Sequence, residues 1–144
     1  MPHKVAIAAD HAGFALKEAL KLHLQSRNYE VCDLGTNSNL SVDYPDFAHK
    51  VAEKVANGGA GIGVLICGSG IGMAIAANRH KNVRAVVIEN DSDAKMSRSH
   101  NNANIACFGA RRTETAEAIK LLDIFLAAPF DGERHEKRIQ KIER

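Results

Sequence analysis

The sequence predicts a doubly wound, three-layer α/β sandwich built on a five-stranded parallel sheet, Rossmann-like in its layering. Three observations carry that expectation. Short apolar runs rich in Val, Ile and Ala alternate with longer segments whose apolar residues recur at helical spacing. Most of the short runs lack period-two alternation, which indicates a parallel sheet covered on both faces. The glycine loop Gly68-Ser69-Gly70-Ile71-Gly72 joins the run Ile62-Gly63-Val64-Leu65-Ile66 to the helix-compatible stretch Met73-Ala74-Ile75-Ala76-Ala77. In α/β proteins such loops lie outside the carboxyl ends of strands, where ligands bind.

Val5 to Ala9 reads as a buried strand, Phe14 to Gln25 as a helix with Leu16, Leu20 and Leu24 on one face, and Tyr29 to Leu34 as a second strand. A loop from Gly35 to Pro45 follows. Asp46 can cap a helix carrying Phe47, Val51 and Val55, which Gly58-Gly59 ends. The third strand, Ile62 to Ile66, leads through the glycine loop into a helix reaching about Arg79. Arg84 to Ile88 makes the fourth strand, and Asp91 or Ser92 caps a polar helix through about Ser99. Ile105 to Phe108 is the fifth strand. Thr113 can cap a long helix that turns Ile119, Leu122, Phe125 and Leu126 inward, with Pro129 past its end. The charged tail, about 133–143, is a short helix. No linker or internal repeat interrupts the chain, so a single domain over 1–144 is expected.

A length of 144 residues, with 45% hydrophobic and 25% charged content, suits one soluble domain with a real core. The net charge is +2 with both signs interspersed, which gives no footprint for nucleic acid or an anionic membrane. The N-terminal apolar stretch is too short for a signal peptide or a membrane span, so a cytoplasmic protein is expected. Cys32, Cys67 and Cys107 sit in or at the ends of apolar runs without paired spacing, which argues against a disulfide framework and against zinc. None of the seven histidines forms a pair with the helical spacing of a metal site.

Polar and reactive residues gather at the strand ends. Asp10-His11-Ala12-Gly13 follows the first strand, Cys67 and its loop the third, Glu89-Asn90-Asp91 the fourth, and Gly109-Ala110-Arg111-Arg112 the fifth. Taken singly, an Asp-His pair is more often a helix cap with a solvated neighbour. The conjunction is more telling. Three glycines in five residues exceed what a turn needs, and successive amides there can converge on an anion or oxyanion. Those amides and the positive end of the following helix favour thiolate over thiol at Cys67. A dinucleotide fingerprint fits poorly, because counting from Gly68 and Gly70 places Met73 where the third glycine belongs.

His100 lies in a polar run between helix and strand, where a titratable group could face a ligand. Arg134 and Arg138 share a face of the tail helix and together suit a phosphate monoester, although a solvated charged helix would show the same pair.

Read in order, seven motifs resemble one known family. They are Asp10-His11-Ala12-Gly13, Asp43-Tyr44-Pro45, Cys67-Gly68-Ser69-Gly70-Ile71-Gly72, Ala76-Ala77-Asn78, Ser97-Arg98-Ser99-His100-Asn101, Phe108-Gly109-Ala110-Arg111 and Arg134-His135-xx-Arg138. Together they cover essentially the whole chain and resemble the sugar-phosphate isomerases of the ribose-5-phosphate isomerase B family. That family also includes galactose-6-phosphate and allose-6-phosphate isomerases.

The resemblance implies interconversion of ribose 5-phosphate and ribulose 5-phosphate through an enediol, with no metal or organic cofactor, in a homodimer with shared active sites. It makes Cys67 the base and the amides of Gly68, Gly70, Ile71 and Gly72 an oxyanion hole, with the Ser69 hydroxyl moving a proton between substrate oxygens. Members lacking the cysteine carry a glutamate at the position of Met73, which cannot accept a proton. His100, assisted by Asp10, would open the furanose ring. Arg134 and Arg138 match the phosphate clamp with His11 and Arg111 beside it, and Tyr44 and Asn101 match sugar contacts. His100, Asn101 and Arg111 would reach in from the partner subunit. Ser69 stands where many members have threonine. The competing expectation is a binding module that holds a nucleotide or phosphosugar on the glycine loop without chemistry.

Overall fold

The computed structural model describes residues 3–144. Five strands, β1 (Lys4–Ala9), β2 (Glu30–Asp33), β3 (Ile62–Cys67), β4 (Ala85–Val87) and β5 (Ile105–Gly109), form one parallel sheet in the order β2-β1-β3-β5-β4. Six helices separate and follow them: α1 (Phe14–Ser26), α2 (Tyr44–Ala56), α3 (Ile71–Ala77), α4 (Asp91–Ser99), α5 (Thr115–Ala127) and α6 (Arg134–Gln140). Two apolar layers result. One face of the sheet packs Leu16, Leu20 and Leu24 of α1, Ala94 of α4 and Leu121, Leu122 and Phe125 of α5. The other packs Val51 and Val55 of α2 and Met73 and Ala77 of α3. β3 is buried along its whole length, as a central strand covered on both faces must be.

The element order and type match the sequence expectation; the element ends shift. α2 begins at Tyr44 with Asp43 as its N-cap, so Pro45 lies inside the first turn rather than ahead of it. Proline is accommodated there because its missing N–H would have had no helical acceptor. Asn90 caps α4 in place of Asp91 or Ser92, its side chain accepting the Asp93 N–H at 2.8 Å. Glu114 rather than Thr113 holds the N-cap of α5, and α3 stops at Ala77 instead of reaching Arg79. Asn78 ends it: the Asn78 side-chain oxygen accepts the Ala85 N–H at 2.8 Å and its amide donates to the Ala85 carbonyl at 2.9 Å, tying the helix end to β4. Among the described residues no helix is long and apolar enough to cross a membrane.

Lys17 is fully buried under α1, an unusual position for an ammonium group. It donates to Asp33 at 2.7 Å and to Glu18 at 2.9 Å, and Lys21 also reaches Asp33 at 3.0 Å. Burial pushes the Asp33 carboxyl up, but hydrogen bonds from Lys17, the Gly35 N–H and Lys21 outweigh it and hold the group below its usual range. A carboxyl depressed by folding stabilises the fold at pH values above its unfolded pKa, about 3.9, and that contribution fades as pH falls through the lower, folded value. Asp33→Asn is therefore expected to destabilise the protein by about 2 kcal/mol at pH 7, because it leaves a buried ammonium half-paired. The difference from the parent should shrink in urea melts at the acid end of that window.

Candidate active site

Parallel pairing brings the predicted strand ends to one edge. Cys67 stands opposite Gly109 and Ala9 opposite Ile66, so Asp10, the glycine loop and Arg111 emerge side by side. The loop closes onto β5 through hydrogen bonds from the Ala110 N–H to the Cys67 carbonyl at 2.8 Å and from the Arg111 N–H to the Gly68 carbonyl at 3.1 Å. Two glycines make this approach possible. A Cβ on Gly109 would lie 2.7 Å from the Ser69 carbonyl carbon, and Gly70 adopts φ 79°, a left-handed conformation that side chains disfavour.

Cys67, Ser69, Asp10, Tyr44 and Arg111 line a cavity of about 580 Å³ together with Gly68, Ile71 and Gly72. Cys67 is 5% exposed, and the Gly70 N–H donates to its sulfur at 3.2 Å. The Ile71 N–H donates to the Ser69 hydroxyl oxygen at 3.1 Å. Two of the amides expected to converge on an external oxyanion are thus turned onto the loop's own sulfur and hydroxyl, while Gly72 and Met73 lie in the first turn, where N–H groups have no intrahelical acceptor. Asp10 is buried, and its side chain accepts the Gly13 N–H at 3.1 Å, which fixes the turn after β1. Tyr44 packs its ring on Gly72 so closely that a Cβ there would meet Tyr44 Cε1 at 2.5 Å.

His11 follows Asp10, and its Nδ1 accepts the N–H of Val42 in the loop before α2 at 3.2 Å. That bond leaves Nε2 as the protonated, donating nitrogen of a neutral ring. Cys107 lies fully buried on the same face of the sheet as Cys67, and burial pushes its thiol pKa far up, with the charge of Cys67 adding to the effect. Cys67, by contrast, opens onto a cavity.

The remaining predicted residues form a second cluster. His100 caps the C-terminal end of α4, and its ring stacks on His135 of α6 with centroids 4.3 Å apart and planes 14° from parallel. His100, Asn101, His135 and Arg138 line a recess of about 340 Å³ with Ile139 and Ile142. Arg134 is exposed at the first residue of α6. Burial lowers the His135 imidazole, as do the positive fields of His100, Arg134 and Arg138, with Asp131 partly opposing. Ligand atoms of His100, Asp131 and His135 all lie within 4.8 Å of one another. The group is nonetheless a poor chelate, because a shared metal must lie in the plane of both rings and near-parallel stacked rings have no such point.

One chain therefore holds these residues in two separate clusters. Arg111, expected on the partner's side with His100 and Asn101, instead sits in the cavity of its own chain, its Nη1 3.0 Å from where a Cβ on Gly68 would stand. The hydrogen bonds that dock β5 on the glycine loop put it there. Two residues lining the Cys67 cavity were given no role by the sequence, Ile75 and Arg112, the latter noted only as part of the strand-end pattern. Arg112 forms an ion pair with Glu89, a partnership for which the strand-end pattern held both members without linking them. Ile75 follows Ile71 by one helical turn, and both are exposed beside the cavity.

Comparison with known proteins identifies the relatives of this chain. The family model described as Ribose/Galactose Isomerase matches residues 5–142. Ribose-5-phosphate isomerase B of Escherichia coli is 42% identical over 96% of this chain and 93% of its own length. The solved structure of ribose-5-phosphate isomerase B from Clostridium thermocellum superposes with a TM-score of 0.96 at 47% identity, covering 96% of this chain and 94% of that one. The enzyme of the same name from Mycoplasma genitalium, solved with bound ribulose 5-phosphate, gives a TM-score of 0.93 at 43% identity, covering 96% of this chain and 93% of that one. With a family match over nearly its whole length and relatives above 40% identity, the chain belongs to the ribose/galactose isomerase family.

Proposed function

We propose that this protein interconverts ribose 5-phosphate and ribulose 5-phosphate by proton transfer through an enediol, as one domain of 144 residues acting in the cytoplasm within the pentose phosphate pathway. The observation that carries the reading is Cys67 at the wall of a cavity, with the Gly70 amide on its sulfur and the Ser69 hydroxyl on the adjoining turn. The isomerisation moves one proton between neighbouring carbons. Cys67 takes the proton from C2 of the open-chain aldose, exchanges it with solvent on the thiol, and delivers a proton to C1. The Ser69 hydroxyl passes a proton between the two oxygens, and the amides of the loop bear the charge that develops on oxygen. Met73, fully buried in the same apolar layer as Cys67, offers no proton acceptor.

The second cluster supplies what the first lacks. His100 suits acid-base opening of the furanose, with Asp10 assisting. Arg134 and Arg138 suit a phosphate, to which Arg111 and the Nε2 of His11 can add. Because the clusters sit apart within one chain, the reading includes a two-fold dimer in which the His100 cluster of one protomer faces the Cys67 cavity of its partner. The exposed Ile71 and Ile75 beside the cavity are apolar surface that such a neighbour would cover.

Purified protein incubated with ribose 5-phosphate should form ribulose 5-phosphate without added metal or cofactor. Tight nucleotide binding without isomerisation would favour a non-catalytic binding module. Comparing ribose, allose and galactose phosphates measures the depth of the sugar pocket. Gly72→Ala is expected to lower kcat/KM by about 10-fold with the fold retained, because its Cβ displaces the Tyr44 ring from the cavity wall. Steady-state kinetics beside a circular dichroism spectrum checks it.

A further inference from the structure

The turn that carries His100 and Asn101 is held from beneath by two arginines. Arg84 Nε donates to the carbonyls of Asn101 at 3.2 Å and Asn102 at 2.9 Å. Arg98 Nη1 donates to the Ala103 carbonyl at 2.6 Å and to the Asn102 side-chain oxygen at 3.4 Å. Three successive carbonyls therefore point inward at guanidinium groups. Asn102 adopts φ 46°, the left-handed conformation that folds the turn in this way.

This arrangement is costly. Burial pulls both guanidinium groups below their ordinary range; Glu143 and Glu136 partly restore Arg84, whereas Arg84 lowers Arg98 further. Arg98 Nε is buried with no hydrogen-bond partner, and its guanidinium lies over the Phe125 ring at 5.5 Å. A repelling cation pair, an orphaned buried donor and a left-handed residue converge on three residues. Unfavourable features gathered this way persist where surrounding structure fixes a functional geometry. The anchor of Arg84 is itself rigid: its N–H donates to the Asn104 side chain at 2.7 Å, and the Asn104 amide donates to the Asn82 carbonyl at 2.9 Å.

We propose that Arg84 and Arg98 are positioning residues that draw the carbonyls of 101–103 inward so that the His100 and Asn101 side chains face outward to the sugar. The proposal rests on the isomerase reading above and assigns the ring-opening step to this turn. Ribose 5-phosphate arrives closed, whereas ribulose 5-phosphate carries phosphate on its 5-oxygen and cannot form a furanose. Loss of positioning therefore sets a ceiling, the rate of spontaneous ring opening, only on the direction that starts from ribose. Any change in kcat/KM at low enzyme is shared by both directions, because the equilibrium constant is fixed.

The test compares both directions as a function of enzyme concentration for the wild type and Arg84→Met. For R84M, turnover of ribose 5-phosphate is expected to fall by about 10-fold and to stop rising with added enzyme once spontaneous ring opening limits it. Turnover of ribulose 5-phosphate should stay proportional to enzyme. The wild type should be proportional in both directions. Equal losses in both directions with proportionality kept, or no loss, would overturn the positioning role. A wild type inactive in both directions would instead remove the isomerase reading. Should R84M fail to fold by circular dichroism, R84K carries the same test, with a smaller loss and the same plateau expected.

Discussion

Replacing Cys67 with alanine is expected to lower kcat for ribose 5-phosphate isomerisation by about 10²–10⁴-fold, the range a positioned general base supplies. The loss should fall on kcat more than on KM, since the groups assigned to phosphate and sugar remain. Neither Met73 nor Cys107 can take over the proton. Met73 has no acceptor, and the Cys107 thiol is fully buried, its pKa pushed up by the apolar surroundings. The fold should tolerate the change, because Cys67 ends its strand at the cavity and the backbone bonds from Asp10 to Ile66 and from Ala110 to Cys67 do not use the sulfur. Initial rates with an unchanged circular dichroism spectrum check both parts. Wild-type rates in C67A would remove Cys67 from the mechanism.

Mixing two inactive variants should restore activity. Cys67→Ala and His100→Ala each remove a group from a different cluster, so each homodimer should retain about 1% of wild-type turnover or less. After equal amounts are unfolded together and refolded, half the dimers pair unlike protomers. Each such dimer has one intact site and one doubly defective site, so recovery to about 25% of wild-type activity is expected. The physical basis is the placement of His100, stacked on His135 beside Arg138, in a recess separate from the Cys67 cavity. Activity staying at the level of the separate variants would contradict shared sites, as would light scattering that shows only monomer.

The layering of the fold was legible because each buried strand is a Val/Ile/Ala run and each helix repeats its apolar residues at a period that places them on one layer or the other. Helix starts were less legible. Around α4, Asn90, Asp91 and Ser92 can all cap, and the local sequence does not say which side chain will reach a free N–H. Around α2, Asp46 reads as the cap and Pro45 as loop, whereas Asp43 holds the N-cap and Pro45 suits the first turn.

Within the site, the Cys67 loop was the most legible part, since closely spaced glycines leave few alternatives to a tight backbone approach. Its internal bonds were not, because whether the Gly70 and Ile71 amides face outward depends on how Gly70 turns. The division into two clusters was also beyond composition and spacing, because it depends on which sheet edge and which helix end each loop reaches. The resemblance implies a shared site with Arg111 reaching in from the partner, whereas within this chain Arg111 lines the Cys67 cavity. The docking of Ala110 and Arg111 onto the glycine loop decides that placement, and it is a tertiary contact with no trace in local sequence.

The most direct test of proton transfer through an enediol is to let the protein turn over ribose 5-phosphate in D2O and to follow C1 of ribulose 5-phosphate by NMR. The account predicts product that carries solvent deuterium at C1. Absence of turnover, or product whose new C1 hydrogen comes wholly from C2 of the substrate, would contradict it.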